Sequence, residues 1–277
     1  MTTDATTYTT TTQATTMTKC RLSTRVSLRW PPEPAFENTD TLVLSVGNWY
    51  VDLRVDLNTT KIDWAIAGER LQDKNSDEVT FTHELDSRNA FGVADCGTFS
   101  ALPNGDDLEV GIMPRPDFPG APVKEYEEVW RPLPFRPIEG SNIGLSFVLE
   151  SVRDWPELSE SEEAEVTRTF IGALWGTYIV LRQRQVLVRP AGETKTVVKS
   201  GGEVSARRES FVQGTGFVVK YELGPEAGDL PARSDIGHGP VDDSQKRIMV
   251  RGQEYMVRSF EALDVSTDEP IDGPSQS

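Results

Sequence analysis

Between Trp49 and Leu57 every second residue is apolar. Trp49, Val51, Leu53, Val55 and Leu57 alternate with Tyr50, Asp52, Arg54 and Asp56. A period of two belongs to a strand and is incompatible with a helix. Gly47-Asn48 stands before this run, and Leu42, Leu44 and Val46 alternate ahead of it. A Gly-first two-residue turn matches strand twist, so 41–57 reads as a hairpin. The same alternation recurs at Leu22, Val26, Leu28 and Trp30, at Ile62, Trp64 and Ile66, and at Leu108, Val110 and Ile112. In the first of these it predicts one buried face and one wet face, the latter carrying Arg21, Arg25 and Arg29. A solvated arginine face is the ordinary meaning; a grip on an anionic group is the alternative. No helical period interrupts the first half. About eight short strands there predict a small antiparallel barrel.

The next constraint is VKEYEEVWRPLPFRPIEG, from Val123 to Gly140. Its first half reads as a strand with Tyr126, Glu128 and Trp130 on one face. Pro132, Pro134 and Pro137 then remove backbone donors and hold the chain extended. This predicts a closing strand followed by a stiff linker. Strand patterns resume at Ile143. The expected organisation is a Thr-rich disordered tail over 1–18, a β-barrel domain over 19–137, a second over 138–263, and a disordered tail over 264–277. The two barrels are expected to meet near Pro132–Gly140 with few contacts crossing that segment. Within the second half, Phe170 to Leu181 is apolar on both faces and broken by Gly172 and Gly176. Glycine in such a run marks a bend or a close backbone approach. The acidic stretch 154–165 reads as a solvated loop or one short helix, Lys195 to Glu203 as an exposed loop, and 224–244 as a long loop.

Composition narrows the partners. The formal net charge is −16, which argues against binding nucleic acid or anionic membrane through a positive surface. Only two cysteines, Cys20 and Cys96, are present, so no disulfide framework is expected. No apolar run has the length of a membrane span, and membrane insertion is not expected.

The familiar constellations are missing: no HExxH, GxSxG, phosphate loop or dinucleotide fingerprint. His83 and His238 beside so few cysteines do not compose a conventional zinc site, and neither a metal nor a cofactor is expected. Asp95-Cys96-Gly97 suggests a nucleophile with His83 as base, but an inert buried cysteine is the simpler reading. No catalytic residue is assigned. Glu128 is the most informative single residue. If its face points inward, a carboxylate sits among Tyr126, Trp130 and Trp64 and its pKa should rise. Otherwise it faces water or pairs with an arginine such as Arg54. Trp64 and Trp130 read as core anchors before they read as a ligand cage.

At several of these positions the chain resembles the fungal HRI proteins, a family named for interaction with a casein kinase I. The resemblance rests on Gly47-Asn48-Trp49-Tyr50-Val51-Asp52-Leu53-Arg54, on Asp63-Trp64-Ala65-Ile66-Ala67-Gly68, on Glu128-Val129-Trp130-Arg131-Pro132 and on Ile171-Gly172-Ala173-Leu174-Trp175-Gly176. It runs in order from Arg21 to Leu263, with the Thr-rich head and 185–210 looking like additions. The resemblance implies two lipocalin-like antiparallel barrels joined by the proline-rich linker and no catalytic activity. It also implies a cytoplasmic and nuclear location, a casein kinase I-type kinase as partner, and a link to the protein-translocation machinery.

Two functions are therefore expected to compete. One is a non-enzymatic interaction protein, a partner or substrate of that kinase. Ser159 and Ser161, set among Glu157, Glu160, Glu162 and Glu163, and Ser244 after Asp242-Asp243 would be its acid-directed phosphorylation sites. The other is a lipocalin-like binder, or a cofactor-free isomerase or cyclase, for a small apolar ligand in a barrel cavity.

Overall fold

The computed structural model describes residues 20–72, 76–93, 95–115, 118–141, 143–152, 156–237, 239–240, 242 and 244–264. The Thr-rich head lies outside these residues, as do His238, Asp243 and the tail after Asp264.

The first half contributes β1 (Cys20–Arg29), β2 (Thr39–Val46), β3 (Trp49–Asp56), β4 (Ile62–Gln72), β5 (Glu78–Phe81), β6 (Leu85–Asp86), β7 (Asp95–Ala101), β8 (Asp107–Pro114) and β9 (Val123–Pro132). Strands β1, β2, β3, β4, β5, β7, β8 and β9 pair in that cyclic order, and β9 returns to β1 to close an antiparallel barrel. The short β6 pairs only with β4. The Gly47-Asn48 turn stands where it was expected, with Gly47 at φ 57°, a value that costs glycine little.

The two faces of the barrel wall reverse the ordinary rule. Trp49, Val51, Leu53 and Val55 point outward, into a core shared with the second half. Tyr50, Asp52 and Arg54 point into the barrel, and Trp49 through Val55 are all buried. The solvated-face reading of β1 holds at Arg21, which is exposed, and fails at Arg25. Arg25 is buried inside the barrel, while Leu22 joins the outer core. A bulge between Arg25 and Ser27 breaks the strict alternation, so Arg25 and Leu28 lie opposite Trp130 and Glu128 on the inner face.

The second half contributes β10 (Ile143–Ser151), β11 (Glu163–Leu174), β12 (Thr177–Val188), β13 (Val197–Gly201), β14 (Ser205–Val212), β15 (Gly216–Leu223), β16 (Arg247–Val250) and β17 (Gln253–Asp264). They form one antiparallel sheet in the order β15-β14-β12-β11-β10-β17-β16, with β13 on the far end of β12. Among the described residues no pairing joins β15 to β16, so the sheet is not closed. The all-β expectation stands, with the closed barrel in the first half.

Phe170–Leu181 bends as its glycines indicate, into a hairpin that turns at Trp175-Gly176 with Trp175 at φ 51°. Other local readings change. Strand β11 begins at Glu163, inside the stretch read as a loop or helix, and 195–203 contains β13. Both segments gain ladder partners that no local pattern announces.

Few contacts across the linker were expected; the structure has a continuous core there. Leu44, Val51 and Leu53 on the barrel wall pack with Val148, Phe170, Leu174, Ile179 and Leu181 of the sheet. A Cβ on Gly172 would stand 2.5 Å from Leu44 Cδ1 and 3.1 Å from Val51 Cγ2, so only glycine lets the layers approach this closely. The opposite face of the sheet buries Phe147, Leu149, Ile171, Tyr178 and Val180 beneath Leu230 and Ile236 of the long 224–244 loop. Burying each such side chain favours the fold by about 1.5–3 kcal/mol. The linker itself is extended, tied by Leu133 N–H to the Leu22 carbonyl at 2.7 Å and by Gly176 N–H to the Arg136 carbonyl at 2.9 Å.

Candidate functional site

The barrel encloses a cavity of about 900 Å³. Its rim carries the exposed Pro132, Pro134 and Pro137 at the start of the linker, so it opens to solvent there. Val43, Tyr50, Ile66, Phe81, Phe99 and Met113 give it an apolar wall. Alongside them lies a buried layer of charge.

Arg54 is the centre of that layer. Its Nε and Nη2 donate to Asp52 Oδ2 at 3.0 and 2.8 Å, and its Nη1 donates to Glu128 Oε1 at 3.3 Å. Asp52 and Arg54 can pair because residues two apart on a strand share a face. The guanidinium carbon sits 4.8 Å from the Trp64 ring centre and 5.3 Å from that of Trp130, within cation–π range of both. Arg25 Nη1 donates to Glu128 Oε1 at 2.6 Å, and Arg25 Nε to Glu37 Oε2 at 2.7 Å. Glu128 is 3% exposed. It is thus both inward-facing and ion-paired.

The carboxyl with the distinctive chemistry is Glu109 of β8, directly opposite Glu128 in the ladder. It accepts from Tyr126 O–H at 2.7 Å and from Trp130 Nε1–H at 2.8 Å. Burial, and then the charge of Glu128, push it up to about 8. At neutral pH Glu109 is chiefly the neutral acid. Burial likewise raises Asp52, whose Oδ1 has no hydrogen-bond partner. Gly97 and Gly111 face each other across β7 and β8. A Cβ at Gly97 would collide with the Glu109 side chain, and one at Gly111 would stand 2.7 Å from Tyr126 Oη. The two glycines make the room in which this acid and phenol meet.

All four expected interior residues, Trp64, Tyr126, Glu128 and Trp130, line this one cavity. Two corrections follow. The carboxyl that burial raises is Glu109, which the sequence reading did not single out, while Glu128 faces two arginines. The tryptophans are more than core anchors, since both flank a buried cation. Glu109 and Asp52 were missed because a charge between apolar neighbours on a strand reads as solvent-facing. The paired strand glycines were the available signal.

His83 and Cys96 do not form a nucleophile and base. His83 lies between Asp86 Oδ2 at 2.8 Å and Asp95 Oδ2 at 3.2 Å, with its ring edge-on to Trp64. Burial would lower its pKa, but the hydrogen bonds to both carboxylates outweigh this and raise it to about 9. Cys96 Sγ lies instead 3.3 Å from Thr80 Oγ1. Asp86 also accepts from Trp64 Nε1–H at 2.8 Å, and its backbone carbonyl accepts from Gln183 of β12 at 2.8 Å. This polar cluster pins the barrel to the second sheet. Among the described residues no group of three or more His, Cys, Asp and Glu side chains could hold a metal ion. No helix among them is long and apolar enough to cross a membrane.

Ser159, Ser161 and Ser244 are exposed. The first two sit in a turn before β11, closed by Glu162 N–H to the Ser159 carbonyl at 3.0 Å, with Ser161 at φ 62°. Ser244 Oγ donates to Asp242 Oδ1 at 2.5 Å.

No curated protein matches the sequence significantly. Among solved structures, the chain is similar to the uncharacterised protein YLR301w of Saccharomyces cerevisiae. The TM-score is 0.59 at 15% identity, over 88% of this chain and 99% of that one. At that identity the likeness concerns the fold alone. The family model described as Protein HRI1 matches residues 21–232, spanning the whole barrel, the linker and most of the second sheet, and the chain belongs to the HRI1 family.

Proposed function

We propose that the barrel is a binding module for a small, largely apolar molecule that carries a hydrogen-bond donor. The observation that supports this is the cavity itself. Its volume of about 900 Å³ lies within the usual range for ligand sites, and it opens at the linker. A filled barrel would have no such space. The apolar wall suits an aliphatic or aromatic body. At the charged layer Asp52 lines the cavity, and its buried Oδ1 has no hydrogen-bond partner. With Glu109 neutral, the lining carries Asp52, Asp95, Asp107 and Glu128 against Arg21, Arg54 and Arg70, with Arg25 paired to Glu128 behind them, so the charges balance and favour a neutral ligand. If the site did chemistry, as an isomerase or cyclase would, the neutral Glu109 beside Tyr126 would be its acid.

Titration with Nile red, a neutral apolar dye, tests the reading. Trp64 and Trp130 emission should change saturably with one dye bound. Ser45→Phe, which fills the cavity from a buried inward position, should abolish the change. Undiminished binding in that variant, with its fold intact by circular dichroism, would refute an interior site.

A second reading follows from the family's kinase link. Exposed Ser159, Ser161 and Ser244 with carboxylates nearby suit a casein kinase I-type kinase, whose basic groove would pair with those acids. On this reading the protein is a kinase partner or substrate of cytoplasm and nucleus, with the protein-translocation machinery as a further partner. Mass spectrometry after incubation with casein kinase I tests it. Labelling elsewhere, with all three serines unmodified, would rule these sites out.

A further inference from the structure

A second cavity, of about 740 Å³, lies between the linker and the second sheet. Leu22 and Leu42 of the barrel, Leu133 and Phe135 of the linker and Phe211 of β14 line it. Its polar lining comes from the sheet. Thr177 stands directly across from Ser210, and Arg208 lies two residues along on the same face. Thr177 is 1% exposed and Arg208 7%. Neither Thr177 Oγ1 nor Arg208 Nε has a hydrogen-bond partner. Buried donors are rarely left unmatched, and here the two residues that carry them line one cavity.

Charge indicates what would match them. Arg208 Nη1 donates to Asp40 Oδ1 at 3.0 Å, but the same carboxylate also pairs with Lys220 at 2.5 Å and accepts from Tyr221 O–H at 2.8 Å. One carboxylate thus serves two cations. Arg136 and Glu139 also line the cavity and offset each other. The neighbourhood carries one positive charge in excess, within a chain of net charge −16. A single-charged anion fits that balance; a phosphate dianion exceeds it and makes no use of the apolar walls.

We propose that this cavity binds a small carboxylate with a short apolar tail. One carboxylate oxygen takes the Arg208 Nε–H and the other the Thr177 O–H, while the tail lies against Leu22, Leu42 and Phe135. The site adjoins the barrel cavity along Leu22, Leu133, Phe135 and the linker prolines, but Thr177 and Arg208, which hold the carboxylate, come from the second sheet alone, so it stands whether or not the barrel interior holds a ligand.

The test is titration of the full chain with octanoate, followed through backbone amide resonances. Thr177 and 208–213, which lie outside the barrel cavity, should shift saturably. Octan-1-ol, with the same tail and no charge, should bind far more weakly. Arg208→Lys keeps a cation for Asp40 but removes Nε–H, and should weaken octanoate by about tenfold or more. Thr177→Val keeps the shape and should weaken it by about two- to tenfold. Should Arg208→Lys disturb the spectrum globally, Thr177→Val alone decides the matter. The proposal is overturned by octanol binding as tightly as octanoate, by shifts confined to the barrel interior, or by the absence of saturable shifts.

Discussion

The barrel interior and the second sheet are built from strands of the same alternating style, yet they resolve it in opposite ways. In the sheet both faces are apolar. One is buried against the barrel wall and the other against the 224–244 loop. Where the barrel meets that sheet, Leu44, Val51 and Leu53 face out, while the interior joins charged residues to the apolar wall of Val43, Ile66, Phe81 and Met113. The difference teaches that the inside of a barrel need not be its hydrophobic core. Once a second layer covers the outer wall, the inner wall is freed from driving collapse. It can then hold Arg25, Asp52, Arg54 and Glu128 beside open space, next to the neutral Glu109. Such charges are costly to bury, and their mutual pairing offsets that cost only while every partner is present.

The sharpest way to break the comparison is to unbalance the charged layer. Glu128→Leu leaves Arg25 and Arg54 with one shared partner fewer. It should destabilise the protein by about 3–5 kcal/mol in urea unfolding. A loss below about 1 kcal/mol would mean that cavity water solvates the arginines and that the layer is not desolvated. Next comes the shared core. Leu53→Ala opens a void between wall and sheet and should cost about 2–5 kcal/mol. Because that core belongs to both halves, barrel and sheet should unfold in one transition. Two separated transitions in the parent would show that the halves are independent.

Much of this was legible in the sequence, and what was not has a physical cause. The strand pattern, the Gly47-Asn48 turn and the proline-rich break each follow from local backbone chemistry, and all appear in place. The inward cluster of Tyr126, Glu128 and Trp130 could be read because aromatics on a strand face seek burial. The outward direction of Leu53 could not be read, since alternation reports two faces without saying which one another layer will cover. Gly172 announced a close approach, but not that Leu44 would be the neighbour. Glu109 stayed hidden because its environment is assembled from Tyr126, Trp130 and Glu128, residues that long-range pairing alone brings together.

The pH dependence sharpens the contrast, because it is expected from the barrel. Glu109 has a folded pKa of about 8 against an ordinary 4.5. The folded state therefore holds a proton that the unfolded chain has lost, and stability falls as pH rises from about 4.5 through 8. His83, raised to about 9, acts in the same sense between 6.5 and 9. From pH 6 to pH 8 the Glu109 share should be about 2 kcal/mol. Glu109→Gln mimics the neutral acid, so it should remove that share and leave the His83 share. Parallel stability curves for parent and variant across this range would show that Glu109 is ionised throughout.

The smallest effect is the most telling about direction. By alternation alone Ile112 belongs to the same set as Leu108 and Val110, which the ordinary rule for half-buried strands would turn inward. In the structure Ile112 is 64% exposed on the outer wall, on the part of the barrel that the second sheet does not cover. Its neighbours in sequence are Gly111, which leaves room for Tyr126, and Met113, which packs inside with Tyr50, Trp64 and Ile66. Threonine keeps the β-branch and so the strand preference, while exchanging a methylene-bearing arm for a hydroxyl that water can satisfy. Ile112→Thr should therefore change stability by no more than about 0.5 kcal/mol. Met113→Thr, one residue along and facing the cavity, should cost about 1–3 kcal/mol by placing a hydroxyl against the apolar wall. If Ile112→Thr proved the more damaging of the two in urea unfolding, the wall would face the other way, and the charged interior, with the cavity it lines, would be lost together.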